Sequence, residues 1–369
     1  MSDDVANTSM QTTNRYNKTI PLINAGYNID DGFMFGGGIK LIRQAFRKEP
    51  YASTQQFTFA HSFSTSAYKF NYKGEWLQVI GKEDILLEAK AFAPNNTQNF
   101  FGRGNGSVID KTGNYKRYYR TRFNLYKVDP AIRWHTGKSN NLTIGPSVQY
   151  YHYDKKGNSG RFINNVSKTG SYDSSTILND KIHAGIITSF THDSRNNILL
   201  PSYGSYINAS IQGYNGLNSY SKSFAQLIAE LSVYKSIGRK SAIVIANRVG
   251  GGLTAGKAAF YQSLFLGGQD NLRGFHQYRF AGEQMLYNNL EARIKLADVA
   301  SYVFPGQLGL IGFYDVGRVW QKGDNTNNTW HQGIGGGLYF APANMVVLHF
   351  VVGNSFEGLY PYFTMGFRF

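Results

Sequence analysis

The chain of 369 residues contains no cysteine, few charged residues and no long apolar run. The lack of cysteine excludes structural disulfides, zinc–thiolate sites and thiol catalysis. No apolar run approaches the roughly 20 residues that a membrane-spanning helix needs, so a helical membrane protein is excluded. Strands that cross a membrane alternate apolar and polar residues, and the absence of long runs does not exclude them.

Aromatic residues and glycine are abundant, with 26 Tyr, 26 Phe and 41 Gly, whereas only 17% of the residues are charged. This mixture favours strands over helices. The net charge is +15, from 38 basic and 23 acidic residues. This excess of positive charge suits an anionic partner, either lipid headgroups or nucleic acid. The alternative is a basic surface that binds no partner.

Apolar and polar residues alternate with a period of two along much of the chain, as in YPYFTMGFRF, where alternate residues from Phe363 to Phe369 are apolar. This pattern is typical of strands. An even number of strands is typical of a bacterial transmembrane antiparallel β-barrel, and we predict sixteen. The predicted strands cover residues 17–27, 33–44, 53–64, 67–80, 83–93, 115–135, 140–153, 181–192, 203–213, 221–237, 241–254, 283–297, 307–320, 331–341, 344–353 and 360–369.

The predicted connections alternate between long and short. Those that follow odd-numbered strands include the long segments 94–114, 154–180, 255–282 and 321–330, and a modest one at 214–220. Most of the others are short turns, with 193–202 and 298–306 as exceptions. Hairpins that alternate in this way place long loops at one rim of a barrel and short turns at the other. The pattern predicts long extracellular loops.

Four motifs along the chain resemble those of a known family of barrels. NFFGRGN, at residues 99–105, is similar to the family's loop after the fifth strand, and LFLGGQDNLRGF resembles its inserted loop. The turn DSRNNILLPSYGSY and the terminal Phe369 complete the set. The signature residues of the inserted loop and of the turn are Arg273, Gly274 and Phe275, and Asp193, Arg195, Pro201 and Gly204.

These motifs resemble the BamA/TamA-like superfamily of outer-membrane assembly and translocation barrels, also called bacterial surface antigens. The resemblance covers nearly the whole chain after about residue 15. It implies a barrel of the bacterial outer membrane that assists the insertion or translocation of polypeptides. The partners that it implies are outer-membrane lipids, lipopolysaccharide, unfolded outer-membrane protein clients, and periplasmic or lipoprotein partners.

The chain departs from the family pattern in two ways. Asn196 stands in the turn where the family usually has an acidic residue. The sequence also contains no POTRA domain, the part of such proteins that receives unfolded clients. Residues 1–15 have neither the basic nor the apolar segment of an export signal, and we interpret them as a polar linker before a barrel at 16–369. We expect an export signal and an upstream domain to lie before Met1.

The resemblance implies that one loop folds into the barrel lumen, with its arginine against the inner wall. A guanidinium away from bulk water needs a carboxylate partner. Asp315 and Glu291 lie on the polar faces of predicted strands, so we predict that Arg273 pairs with Asp315, Glu291 or both. Gly274 would permit a tight turn, and Phe275 would pack against the strands. The alternative is an exposed loop with a solvated arginine.

The junction between the first and last strands is a second candidate site. Pro21 lies inside the first predicted strand and Pro361 at the start of the last, which ends at Phe369. Proline cannot donate a hydrogen bond to a sheet, so we predict a weakly bonded seam. One interpretation is a lateral gate at which a client strand pairs with an exposed edge. A bulge or a frayed end at Pro21 is the alternative.

The sequence gives no sign of a catalytic, metal or cofactor site. The eight histidines are scattered, no HExxH motif occurs, and Thr191–Ser194 would place neighbouring side chains on opposite faces of a strand. Basic and aromatic residues at 116–120 fit lipid phosphates at a barrel rim better than nucleic acid. We therefore expect no enzyme, no cofactor and no nucleic-acid partner. The alternative function is an anchor or channel for a fused N-terminal periplasmic domain, for example a phosphodiesterase-like one.

Overall fold

The computed structural model describes residues 16–46, 48–238, 242–300, 305–324, 328–343 and 345–365. The predicted linker at 1–15 and the terminal Phe369 lie outside the described residues. Sixteen long strands are numbered β1 to β16 in chain order. They cover Lys18–Asn28, Gly32–Arg43, Ser53–Ser62, Ala67–Ile80, Glu83–Phe92, Arg120–His135, Asn140–Tyr153, Lys181–Asp193, Gly204–Gly216, Phe224–Ile237, Ile243–Gly256, Gln284–Val299, Gly306–Trp320, His331–Pro342, Leu348–Ser355 and Gly358–Met365.

Each strand pairs antiparallel with the next one along the chain, and β16 pairs with β1, so that the sheet closes into a barrel. The predicted antiparallel barrel of sixteen strands is therefore confirmed. Thr97–Asn99 extends the sheet beside β6, and Leu264–Leu266 pairs with Phe280–Gly282 in a small separate sheet. Within the described ranges, the α-helices lie in loops, at α1 (Tyr115–Tyr119) and α2 (Val166–Thr169). No helix in the described part of the chain is long and apolar enough to cross a membrane.

One predicted boundary is wrong in an informative way. The sixth strand was expected from residue 115, but Tyr115–Tyr119 form α1 and β6 begins at Arg120. The side chain of Asn114 accepts a hydrogen bond from the backbone N–H of Arg117 and so caps the helix. Tyr119 is buried in a cluster of loop aromatics. Alternation of basic and aromatic residues therefore misled the prediction, because capping and loop packing decide the local structure.

The two faces of the wall differ as expected for a barrel in a membrane. On β12, Leu286, Leu290 and Ile294 are each about two-fifths exposed and point outward. The odd-numbered residues between them, including Asn289 and Glu291, are buried and point inward. Apolar residues outward and polar residues inward are the arrangement of transmembrane barrels.

The three longest connections, at residues 93–119, 154–180 and 257–283, each follow an odd-numbered strand and share one rim. They bury an aromatic cluster that includes Phe100, Phe162 and Phe260, together with inward-facing Phe123 of β6. Phe123 and Phe260 meet edge to face, with ring centroids 5.6 Å apart. The longest connections share one rim, as predicted, and their aromatic cluster fills part of the barrel interior at that rim.

Candidate functional site

The connection at residues 257–283, here called the lumen loop, enters the barrel interior. Leu266, Leu272 and Phe275 of this loop are fully buried and pack with Val319 on the inward face of β13. Asn271 fixes the loop internally, because its Oδ1 accepts from the Gly267 N–H at 2.8 Å. The buried apolar side chains anchor a segment whose centre is polar.

Arg273 lies at that centre and forms a fork-shaped contact with the wall. Its Nε and Nη2 donate to the two carboxylate oxygens of Asp315 at 2.8 and 2.9 Å, and its Nη1 donates to Glu291 at 2.9 Å. The backbone N–H of Arg273 also donates to Asp315, at 3.0 Å. The guanidinium carbon lies 3.5 Å from the ring centroid of Phe313. Both predicted carboxylates therefore contact the arginine.

All three charged groups are buried, with exposed fractions of 3% for Arg273, 0% for Asp315 and 4% for Glu291. Burial by itself lowers the pKa of Arg273, but the charges and hydrogen bonds of Asp315 and Glu291 outweigh it and raise that pKa. The arginine is therefore held in its charged form. Removal of one partner from a buried ion pair strongly destabilises the protein, because the other charge stays buried without an opposite charge beside it.

Gly274 lets the loop backbone approach the wall. Its φ of +93° is in a region that favours glycine, and a Cβ there would lie 2.9 Å from the Asn354 carbonyl oxygen. The Gly274 N–H donates to the Tyr362 hydroxyl at 3.1 Å, and that hydroxyl donates to the Phe275 carbonyl at 3.2 Å. Ser355 Oγ donates to the Gly274 carbonyl. The motif is thus bonded to the β15–β16 hairpin.

Phe275 is fully buried beside the start of β14. Its ring meets those of Phe280 and His331 edge to face, at centroid distances of 5.6 and 5.9 Å. Phe280 and His331 are themselves stacked at 3.7 Å. As predicted, the aromatic residue of the motif packs against the wall.

The next two residues of the lumen loop bond to the opposite end of the sheet. His276 Nδ1 lies 2.6 Å from an Asp30 carboxylate oxygen, and the Gln277 N–H donates to the other oxygen at 2.7 Å. Asp30 lies in the turn between β1 and β2. Sequence reasoning missed Asp30 and His276, and it also missed Tyr362. An Asp-Asp pair in a tight turn is a weak signal, and the contact depends on barrel closure.

The motif at residues 99–105 joins the lumen loop. Arg103 Nε donates to Ser263 Oγ at 3.1 Å, and the Gly104 N–H donates to the Ala281 carbonyl at 2.8 Å. Asn99 Nδ2 donates to the Gln277 carbonyl at 3.1 Å. The structure therefore brings together two of the four motifs that the sequence singled out.

The turn motif lies at the other rim, in the connection between β8 and β9. Arg195 forms a fork with Asp193, with Nε and Nη2 donating at 2.9 and 2.8 Å. Pro201 is buried, and Gly204 has a φ of +106° where a Cβ would lie 2.3 Å from the Ser194 carbonyl oxygen. This turn contributes nothing to the Arg273 cluster.

Asn196, which replaces the acidic residue of the family pattern, closes this turn. Its Oδ1 accepts from the N–H groups of Ser202 and Tyr203 at 3.0 and 3.1 Å, and its Nδ2 donates to Ser202 Oγ at 2.9 Å. The amide of Asn196 both accepts and donates hydrogen bonds in this turn, whereas an ionised carboxylate would only accept them.

The junction of β1 and β16 is here called the seam, and its ladder is short in the part of the chain that the structure describes. Within the described residues it pairs Gly26 with Thr364 and Tyr27 with Phe363, two positions in all. The other neighbouring strands pair over seven to fifteen positions in the same part of the chain. Pro21 lies in the stretch of β1 beyond these two positions.

The second seam proline does not lie where it was expected. β16 begins at Gly358, so Pro361 lies three residues into the strand and not at its start. It pairs with Val352 of β15. A cavity of about 470 Å³ adjoins the seam and is lined by Gly26 and Thr364 from the two strands and by Asp270 from the lumen loop.

A family model for the Omp85 superfamily domain matches residues 34–357. The chain belongs to the Omp85 superfamily. Its barrel is similar to the crystal structure of BamA from Haemophilus ducreyi lacking POTRA domains 1–3, with a TM-score of 0.67 and 14% identity over 95% of this chain and 70% of that one. Omp85 barrels are outer-membrane proteins, so this chain is a transmembrane barrel of the outer membrane.

CdiB barrels are also similar in structure. CdiB from Escherichia coli matches with a TM-score of 0.60 and 13% identity, over 94% of this chain and 63% of that one. CdiB from Acinetobacter baumannii matches with a TM-score of 0.56 and 11% identity, over 95% and 59%. This chain therefore spans about six-tenths of the CdiB chains. No curated protein sequence matches it. At these identities the structural matches show the fold alone.

Proposed function

We propose that this barrel assists the insertion or translocation of polypeptides at the outer membrane, and that the seam receives the client. The observation that carries the proposal is the two-position ladder between β1 and β16 in the described residues. A strand edge with unused backbone donors and acceptors is a template for a further strand. Among the described residues, this junction pairs over fewer positions than any other junction of neighbouring strands in the barrel.

The geometry of β1 supports this role. Residues 19–25 pair with β2 on one side and have no β16 partner among the described residues. Ile23, in the middle of this stretch, is 69% exposed. The adjoining cavity gives a client segment space beside the edge. Unfolded outer-membrane proteins, which carry alternating strands of their own, are the clients that suit such an edge, and lipids and lipopolysaccharide surround the site.

The lumen loop supports the same function over a simple channel. Its buried residues and its ion-pair cluster occupy the interior, in contact with β12, β13 and β16. A barrel that serves only for diffusion gains nothing from an interior filled in this way. A tethered loop that contacts both sides of the seam, by contrast, is placed to respond when the two strands separate.

The test is depletion of the full-length protein in its native bacterium, with quantitative proteomics of the outer membrane. Complementation uses the Tyr27→Cys, Phe363→Cys pair joined by a short thiol cross-linker. The chain has no cysteine of its own, so the two introduced cysteines provide its only thiols. The matched control joins Phe59→Cys and Phe70→Cys, an outward-facing aromatic pair across β3 and β4.

We expect several unrelated barrel proteins to decrease on depletion and to recover with the wild-type chain or the cross-linked control. The cross-linked seam should fail to restore them, because the edge of β1 is no longer available. Full recovery with the cross-linked seam would overturn the role of the seam. Unchanged levels of every other barrel would overturn the insertion role itself and favour an anchor or channel for a fused domain.

A further inference from the structure

The long-loop rim holds a polar cavity of about 550 Å³, away from the seam and the Arg273 cluster. It lies between the β3–β4 turn, the start of β6 and the connection from β7 to β8. Five basic side chains and one acidic side chain line it. These are Arg117, Arg120, Arg122, Lys156 and Arg161, and Asp154. We call this cavity the arginine pocket.

Three of the four arginines donate to neutral groups. Arg122 Nη2 donates to the Thr65 carbonyl at 2.9 Å, and Arg161 Nη1 donates to the Arg120 carbonyl at 2.7 Å. Arg120 Nη2 donates to the Asp30 carbonyl. None of the four forms an ion pair with a carboxylate among the residues that the structure describes. The lining of the pocket therefore carries five basic side chains against the single carboxylate of Asp154.

Two guanidinium donors are buried here without an acceptor. In the described part of the chain, the Nε atoms of Arg122 and Arg161 have no hydrogen-bond partner, and Arg161 is only 8% exposed. Burial, together with the charges of the neighbouring arginines, lowers the pKa of Arg161 to about 10. A buried cationic donor without an acceptor is costly, and an anion in the pocket would remove that cost.

The pocket is built by well-bonded backbone. The side chain of Asn158 is fully buried, and its Nδ2 donates to the Arg122 carbonyl at 2.6 Å while its Oδ1 accepts from the Arg122 N–H at 2.7 Å. Asp154, the acidic residue of the lining, accepts from the Gly157 N–H at 2.9 Å. These bonds fasten the loop to the end of β6, so the arginines are positioned before any ligand arrives.

Arg120 and Arg122 face the lipid side of the wall. Alternate residues of a strand share a face, and further along this face Tyr126 and Val128 are 39% and 46% exposed. Phe123, on the other face, packs inside the barrel. Tyr126 stacks with Tyr150 of β7 at 6.0 Å, as in the aromatic belts that mark a membrane interface. The two arginines therefore lie just beyond the aromatic belt, at headgroup level.

We propose that the arginine pocket binds a phosphate group carried by a lipid headgroup of the outer leaflet. Phosphate offers several acceptor oxygens and up to two negative charges, which match forked guanidinium donors better than a single carboxylate does. The lipid-facing position of Arg120 and Arg122 favours a headgroup over a soluble phosphate. This site does not depend on the proposed insertion role.

The test measures binding of lipopolysaccharide to the purified full-length protein in nanodiscs, by native mass spectrometry. The probes are phosphorylated lipopolysaccharide, the same lipid after enzymatic dephosphorylation, and inorganic phosphate alone. Three protein variants are compared. They are Arg122→Gln with Arg161→Gln, Arg122→Lys with Arg161→Lys, and the control Lys222→Gln with Lys257→Gln, which removes two exposed charges from the same rim outside the pocket.

We expect the glutamine pair to weaken binding of the phosphorylated lipid about ten-fold or more, and the lysine pair to weaken it less. The control should bind as the wild type does. Dephosphorylation of the lipid should weaken its binding to the wild-type protein by a similar factor, and this comparison of two lipids needs no variant to fold. Equal binding of both lipids by the wild-type protein would overturn the proposal. Tighter binding of inorganic phosphate than of the lipid would show that the pocket does not select a phosphate carried by a lipid.

Discussion

Asp30 and Tyr362 lie on opposite sides of the seam and hold adjacent parts of one loop. The Tyr362 hydroxyl bonds to the backbone of Gly274 and Phe275, and the Asp30 carboxylate bonds to His276 and Gln277. The lumen loop therefore bridges a junction whose own described ladder has only two positions. The loop thus adds contacts from inside the barrel to the two described ladder positions.

This bridge predicts that Tyr362→Phe loosens the seam. The substitution removes a hydroxyl that makes two buried hydrogen bonds to the loop, which costs about 1 to 3 kcal/mol. We expect the cross-linking rate of the Tyr27→Cys, Phe363→Cys pair to fall about ten-fold. Tyr153→Phe is the control, since that hydroxyl bonds Asn164 at 2.6 Å within another loop. Equal rates in all proteins would show that the bridge does not hold the seam.

The Arg273 cluster predicts a large loss of stability on neutralisation of one partner. Asp315→Asn leaves a buried guanidinium short of its main partner, and we expect a loss of about 3 kcal/mol in the free energy of unfolding. Urea unfolding in lipid vesicles, followed by tryptophan fluorescence, measures it. Asp298→Asn is the control because this carboxylate, 2.6 Å from Lys295, is 74% exposed, and we expect less than about 1 kcal/mol. Similar losses would contradict a special role for the cluster.

The Arg273 contacts could be predicted because the family resemblance implied a loop in the lumen and strand parity identified the inward carboxylates. Once alternation assigns the faces of β12 and β13, Glu291 and Asp315 must point inward, and a loop arginine in the lumen needs a carboxylate. Strand positions were predictable for the same reason. Ala67–Ile80, for example, has the bounds that its alternation predicts.

The bridge across the seam could not be predicted in this way. His276 and Asp30 are 246 positions apart in sequence, and they meet only because the barrel closes and the loop folds inward. The arginine pocket is similar, since it combines side chains from a turn, a strand and a loop. The basic and aromatic pattern at 116–120 indicated contact with anionic lipid. It could not predict a cavity, because cavities depend on how loops pack.

Gly274 offers a test of how closely the loop must approach the wall. Alanine there meets both an unfavourable φ of +93° and the Asn354 carbonyl 2.9 Å from its Cβ, and we expect a loss of about 2 to 3 kcal/mol. Gly323→Ala is matched in φ, at +85°, but its Cβ would have no neighbour within 4 Å, so we expect about 1 kcal/mol. Thermal unfolding followed by the gel mobility of the folded barrel compares them. Equal losses would mean that backbone conformation alone sets the cost.

The packed interior predicts low conductance in planar bilayers. Leu272, Arg273 and Phe275 occupy the lumen, so replacement of residues 258–282 by a short Gly-Ser linker should increase single-channel conductance several-fold. Deletion of the exposed residues 111–113 on the same rim is the control and should leave conductance unchanged. A wild-type barrel that already conducts as much as the loop-deleted one would show that the loop does not obstruct the lumen, and would favour a channel over an insertase.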